Sequence, residues 1–170
     1  MDLIPTFESI RDIPYRIPLK WGEEDDCCSG KHKKLFNLLK KKGCEVRYRV
    51  CVFLWSSLNL PPELKTIPHD DDCTHTYLEI KIDENWKVLD ATWDSRLKNI
   101  FHINRWDGKS NTEIALRPTK RFTPQKSLEI VHNQNEEIIK KDLNINGDFY
   151  KGFNEWLDKN RKRAPSCVRC

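Results

Sequence analysis

Residues 75–92 read His75-Thr-Tyr-Leu-Glu-Ile-Lys-Ile-Asp-Glu-Asn-Trp-Lys-Val-Leu-Asp90-Ala-Thr92, and this stretch decides the fold. Leu78, Ile80 and Ile82 alternate with Tyr77, Glu79 and Lys81, the two-residue period of a strand with unlike faces. Asp83-Glu84 reads as a tight turn, and Trp86 to Ala91 returns as the partner strand. His75 opens the first strand on this reading and Asp90 closes the second. Their separation is fifteen, an odd number, so an even-length turn puts both side chains on one face, together with Glu79. A two-residue turn pairs Tyr77 with Asp90 and leaves His75 and Asp90 as diagonal neighbours. A three-residue turn would split them across the sheet.

Upstream, Glu45 to Trp55 is dense in Val, Tyr, Phe and Trp and reads as a third, mostly buried strand. Before it comes a lysine-rich helix whose Leu35, Leu38 and Leu39 form an apolar stripe. Gly43, after Lys40, Lys41 and Lys42, stands where a helix C-cap is expected. One helix followed by an antiparallel sheet is an α+β layout, with the helix packed on the sheet. The 170 residues suit one domain, with a core over about 20–97. Residues 1–19, with Pro5, Pro14 and Pro18, read as an extended N-terminal arm. A C-terminal extension carries a helix near 148–163, presenting Phe149, Phe153, Trp156 and Leu157. Between Leu97 and about Gln125 the pattern is weak.

Cys28 sits at the first turn of the lysine-rich helix, seven residues before Leu35 and eleven before Leu39. Helical phase therefore points it toward the sheet, with Cys27 rotated about 100° away. A helix N-terminus offers free N–H groups and a positive dipole end, which favour a thiolate and suit an oxyanion. The acids Glu23, Glu24, Asp25 and Asp26 oppose this, because like charge raises a thiol pKa. A thiol, an imidazole to take and return its proton, and a carboxylate to hold the tautomer make a nucleophilic triad of Cys28, His75 and Asp90. His32, four residues after Cys28, is the other candidate base, without an evident orienting carboxylate. His69, His102 and His132 read as surface residues. Trp21 can present its indole N–H to an oxyanion or wall the cleft.

Three segments together resemble the transglutaminase-like superfamily. Cys28-Ser-Gly-Lys-His32 followed by Leu38-Leu39, Gly43 and Arg47 is similar to its catalytic-cysteine helix. His75-Thr-Tyr77-Leu-Glu79 resembles its histidine strand, and Trp86-Lys-Val-Leu-Asp90-Ala-Thr92 its Trp-x-x-x-Asp-Pro-Thr strand. They lie in the family's order over roughly residues 26 to 97. The resemblance implies a papain-like α+β core and acyl transfer through a thioester on peptide or amide bonds, most simply as a protease- or amidase-type hydrolase. It leaves hydrolysis, deamidation and crosslinking open. Asp26 stands where the family often has Gly, and Ala91 replaces the common proline. Nothing matches the calcium sites or flanking β-domains of the large animal enzymes, so neither a metal nor a cofactor is expected.

Seven cysteines, at 27, 28, 44, 51, 73, 167 and 170, are an odd count. With no basic start or apolar h-region at Met1–Pro5, the chain is expected to be cytoplasmic and its thiols reduced. No run approaches the roughly 20 apolar residues of a membrane span. The net charge of +4 makes no case for nucleic acid. Cys167-Val-Arg-Cys170 is a lone CxxC, where a structural zinc site needs four ligands. The expected partner is a peptide or protein substrate. Two other readings stand beside the enzyme: an idle domain of the same fold that binds a protein, and a basic nucleic-acid module with a zinc-binding tail.

Overall fold

The computed structural model describes residues 2–163. In chain order the elements are α1 (Ile4–Arg11), α2 (Cys28–Lys41), β1 (Val46–Leu54), α3 (Pro62–Lys65), β2 (Asp72–Ile82), β3 (Asn85–Leu89), β4 (Lys120–Arg121), α4 (Pro124–His132) and α5 (Glu136–Arg163). Asp83 and Glu84 both adopt positive φ, 46° and 62°, the backbone of a two-residue hairpin turn matched to strand twist. The register follows: Ile82 pairs with Asn85 and Leu78 with Leu89. Continued by one residue, it sets Asp90 opposite Tyr77, diagonal to His75. β1 pairs antiparallel with β2 from Val46↔Ile80 to Leu54↔Asp72, and the sheet order is β3-β2-β1-β4. The α+β layout therefore holds. β2 starts at Asp72, so His75 lies inside the strand rather than opening it.

Two apolar clusters hold these layers. One joins Leu35 and Leu39 of α2 to Phe7 and Ile10 of α1 and to Tyr48, Leu78, Ile80 and Leu89 of the sheet. The other gathers Cys28, Tyr15, Phe53, Trp55 and Trp93 around Phe149, Phe153 and Leu157 of α5. Burying each large apolar side chain contributes about 1.5–3 kcal/mol. β1 serves both clusters by switching its buried parity. Val46, Tyr48 and Val50 are buried in its first half, and Cys51 and Phe53 in its second.

Three expectations change. Residues 1–19 are not wholly extended, because Pro5 falls in the first turn of a helix, where its missing N–H is harmless. The C-terminal helix starts at Glu136 and is no appendage, since Phe149, Phe153 and Leu157 are fully buried. The weakly patterned stretch yields β4, and α4 follows it, capped by the Thr123 hydroxyl accepting the Lys126 N–H.

Buried charges tie the N-terminal segment to the loop after β3. Lys31 Nζ, fully buried, donates to the carbonyls of Arg11 (2.7 Å), Ile13 (2.9 Å) and Thr92 (2.7 Å). Burial pushes its pKa down to about 7 against the pull of Asp94, Asp90 and Asp12. Arg161 of α5 pairs with Asp94 at 2.9 Å and donates to the Tyr15 carbonyl at 2.6 Å. No helix among the described residues is long and apolar enough to cross a membrane.

Candidate active site

The hairpin register brings His75 and Asp90 into contact. His75 Nε2 lies 2.7 Å from Asp90 Oδ2, and both residues are fully buried. Asp90 Oδ2 also accepts the Ala115 N–H at 2.9 Å, and Oδ1 accepts the Thr92 N–H and hydroxyl at 3.0 and 2.6 Å. Burial alone would raise the Asp90 pKa. The charge and hydrogen bond of His75, with the Ala115 N–H, outweigh it and hold the carboxyl below its ordinary value. An ionised carboxylate only accepts, so Nε2 donates to it, and in the neutral ring Nδ1 is then the nitrogen with the lone pair. Nδ1 is buried and has no hydrogen-bond partner among the described residues.

The thiol comes from the start of α2. Cys28 is the first helical residue and is 9% exposed, pointing inward as helical phase predicts. It packs with Phe53 and Trp55, however, and not in the cluster of Leu35 and Leu39. Cys27 is the N-cap residue. Asp25 organises the turn: Oδ1 accepts the Cys27 N–H at 2.9 Å and Oδ2 the Ser29 hydroxyl at 2.7 Å. The Ser29 oxygen, 3.1 Å from Cys27 Sγ, is left to accept the Cys27 S–H. Hydrogen bonding to Cys28, burial and the charges of Cys28 and Asp25 push the Cys27 thiol well above its ordinary pKa. That disfavours the Cys27 thiolate. Of the other acids, Glu24 and Asp26 are bound by Lys34 on the outer side of α2, and Glu23 accepts the Leu19 N–H.

Gly30 explains how Asp25 comes so close. A Cβ at position 30 would overlap the Asp25 carbonyl group, so the loop folds onto the helix only over a glycine. The sequence shows the glycine but not the loop that needs it.

No hydrogen bond joins Cys28 to His75 among the described residues; His32 links their surroundings. Its Nδ1–H donates to the Cys28 carbonyl at 2.7 Å, and its Nε2 accepts the Ala91 N–H at 2.9 Å. Its ring stands edge-on to that of His75, centroids 6.3 Å apart. With both nitrogens occupied and its pKa pushed down to about 4, chiefly by burial, His32 is a neutral brace and not a base. Two hydrogen bonds to backbone orient it, and Asp90 Oδ1 lies 3.7 Å away.

Cys51 is the residue that sequence reasoning missed. It pairs directly with His75 across β1 and β2 and is fully buried, and burial with Asp90 nearby pushes its thiol pKa up to about 12. Only the inter-strand register could have found it. Trp21 is 48% exposed and its indole makes no hydrogen bond among the described residues. His69 is not a free surface residue, since its ring stacks on Phe149 at 3.8 Å. Cys167 and Cys170 lie outside the described residues, among which no cluster of three or more ligands could hold a metal.

The family models, the curated proteins and the solved structures contain no match to this chain. Two surface hollows lie elsewhere. One of about 520 Å³ lies at the hairpin turn beside Gly43, Lys81 and Asp83, and another of about 340 Å³ beside Asn104 and Thr112. Neither reaches Cys28 or His75.

Proposed function

We propose that the chain is a cysteine-dependent acyl-transfer enzyme with a papain-like, transglutaminase-like core, acting on peptide or amide bonds. The observation that carries this is His75 Nδ1, a buried unpartnered nitrogen on an imidazole fixed by an ionised carboxylate. That is the form a general base takes before it meets its thiol. In the reaction, Nδ1 takes the Cys28 proton as sulfur bonds to the carbonyl carbon. The imidazolium then returns that proton to the departing nitrogen as the C–N bond breaks, leaving a thioester. Water or an amine, losing a proton to Nδ1, attacks the thioester and frees Cys28. Asp90 keeps the proton on Nε2 and stabilises the imidazolium. The N–H groups opening α2 are the proposed oxyanion donors. Trp21, which is exposed, is the proposed wall of the entrance. The missing Cys28–His75 hydrogen bond is compatible with this role, since such bonds are often long until substrate binds.

The burial of His75 and Asp90 favours a second reading, an idle domain of this fold that binds a protein partner. A screen of fluorogenic peptide amides against wild type and Cys28→Ala separates the two. Turnover present in wild type and absent in Cys28→Ala supports the enzyme. No difference across the library supports the binder.

A further inference from the structure

Odd-numbered positions of β1 and β2 put Arg47, Arg49, Tyr77 and Glu79 on the sheet face that carries His75. The pairing of Cys51 with Arg121 adds a third arginine, from β4. Tyr77 is 1% exposed yet belongs to neither apolar cluster. Its ring stacks on His75 at a centroid distance of 6.1 Å, and its strand partner is Arg49. An aromatic ring next to the proposed base is thus flanked by guanidinium groups.

Glu79 is the one acid among them, and its two oxygens are already taken. One accepts Arg47 Nε and Nη2 at 2.7 and 2.6 Å, and the other accepts Arg49 Nη1. Arg49 Nη2 donates to the Phe122 carbonyl at 3.1 Å. Arg121 is exposed, and its side chain makes no hydrogen bond or ion pair among the described residues. The Arg47 guanidinium lies 4.0 Å over the ring of Trp86, which is 36% exposed. Lys81, further along this face, is bound by Glu84 and Glu45. The face therefore carries surplus positive charge and a partly exposed aromatic ring, on the side of the sheet that also holds the buried His75.

We propose that this face is a subsite for an acidic segment of a peptide substrate, bound extended beside the acyl-transfer site. The inference rests on the reading of that site given above. An extended peptide repeats its side chains on one face roughly every 7 Å, the spacing of Arg47 and Arg49 along β1. Its carboxylates suit the paired donors of arginine, and the exposed part of Trp86, stacked on Arg47, adds apolar surface beside them. A nucleic-acid backbone fits less well, because Glu79 sits at the centre of the face and the chain's net charge is only +4.

The test uses full-length Cys28→Ala and a fluorescein-labelled decapeptide of alternating Glu and Ala, read by anisotropy. The expected result is saturable binding that weakens at least tenfold with Gln in place of Glu, and at least fivefold with Arg121→Ala. The Arg121 side chain has no bonding partner among the described residues, so its loss leaves the fold intact; circular dichroism checks this. Equal binding of the Glu and Gln peptides, or no effect of Arg121→Ala, overturns the subsite. Tighter binding of a single-stranded oligonucleotide of equal charge overturns the peptide assignment. Turnover in wild type separates the two proposals. Cleavage of neutral amides without acidic-peptide binding removes the subsite alone, and binding without Cys28-dependent turnover removes the enzyme alone.

Discussion

Replacing Asp90 with asparagine tests the site and the fold together. The carboxylate takes His75 and Ala115 on one oxygen and the amide and hydroxyl of Thr92 on the other. An amide has one acceptor oxygen. If that oxygen stays with Thr92, the NH₂ group faces the Ala115 N–H and strands it. The same NH₂ then donates to Nε2, forcing the His75 proton onto Nδ1 and disabling the base. If the amide flips, Thr92 N–H is stranded and the tautomer survives, but the charge that stabilises an imidazolium is gone. Either orientation leaves one buried donor unpaired, a cost of about 1–3 kcal/mol. For a chain of this length that lowers Tm by roughly 2–12 °C. Turnover should fall at least about a hundredfold, or about 2.7 kcal/mol of barrier. Because the Asp90 pKa is lowered on folding, its stabilisation is complete above the unfolded value of about 4 and lost as pH falls below it. The stability gap between wild type and Asp90→Asn should therefore shrink below about pH 4. Melting curves and turnover on one preparation provide the assay. A lowered Tm with turnover within about threefold of wild type would refute the role of Asp90 and leave a dyad at best.

Gly30→Ala should destabilise the chain by about 3 kcal/mol or more and abolish activity, because its Cβ meets the Asp25 carbonyl; urea unfolding reads it. His32 titrates at about 4 in the fold, set by burial against Asp90, with His75 and Lys31 adding to the fall, and near 6.5 when unfolded. The unfolded chain then binds more protons in that window, so the urea midpoint should drop as pH falls from about 6.5 to about 4. The drop is on the order of 3 kcal/mol and should be largely absent in His32→Gln.

The hairpin was legible because its evidence is local: an odd separation and a turn too short to allow another register. The inward aim of Cys28 was legible for the same reason, being set by helical phase over two turns. α1 was obscured by reading residues 1–19, with their three prolines, as an extended arm, although Phe7 and Ile10 already had helical spacing. α4 carried its own start signal, Thr123 followed by Pro124, within a stretch with little apolar pattern. What could not be read depends on residues far apart in sequence. Gly30 matters because Asp25 folds back on it, His32 because Ala91 arrives from the strand end, and Cys51 because β1 pairs with β2 in one register. The arginine face needs β4, a two-residue strand that carries no period of its own.

Limiting iodoacetamide with peptide mass spectrometry tests whether Cys28 is the nucleophile and His75 its base. The folded wild-type chain should be alkylated first at Cys28. Cys27 should lag because its thiol donates to Ser29 and is held protonated by Cys28, burial and Asp25. His75→Ala should slow Cys28 labelling at least tenfold while leaving Cys27 unchanged. Preferential labelling of Cys27, or Cys28 labelling indifferent to His75→Ala, would contradict the account.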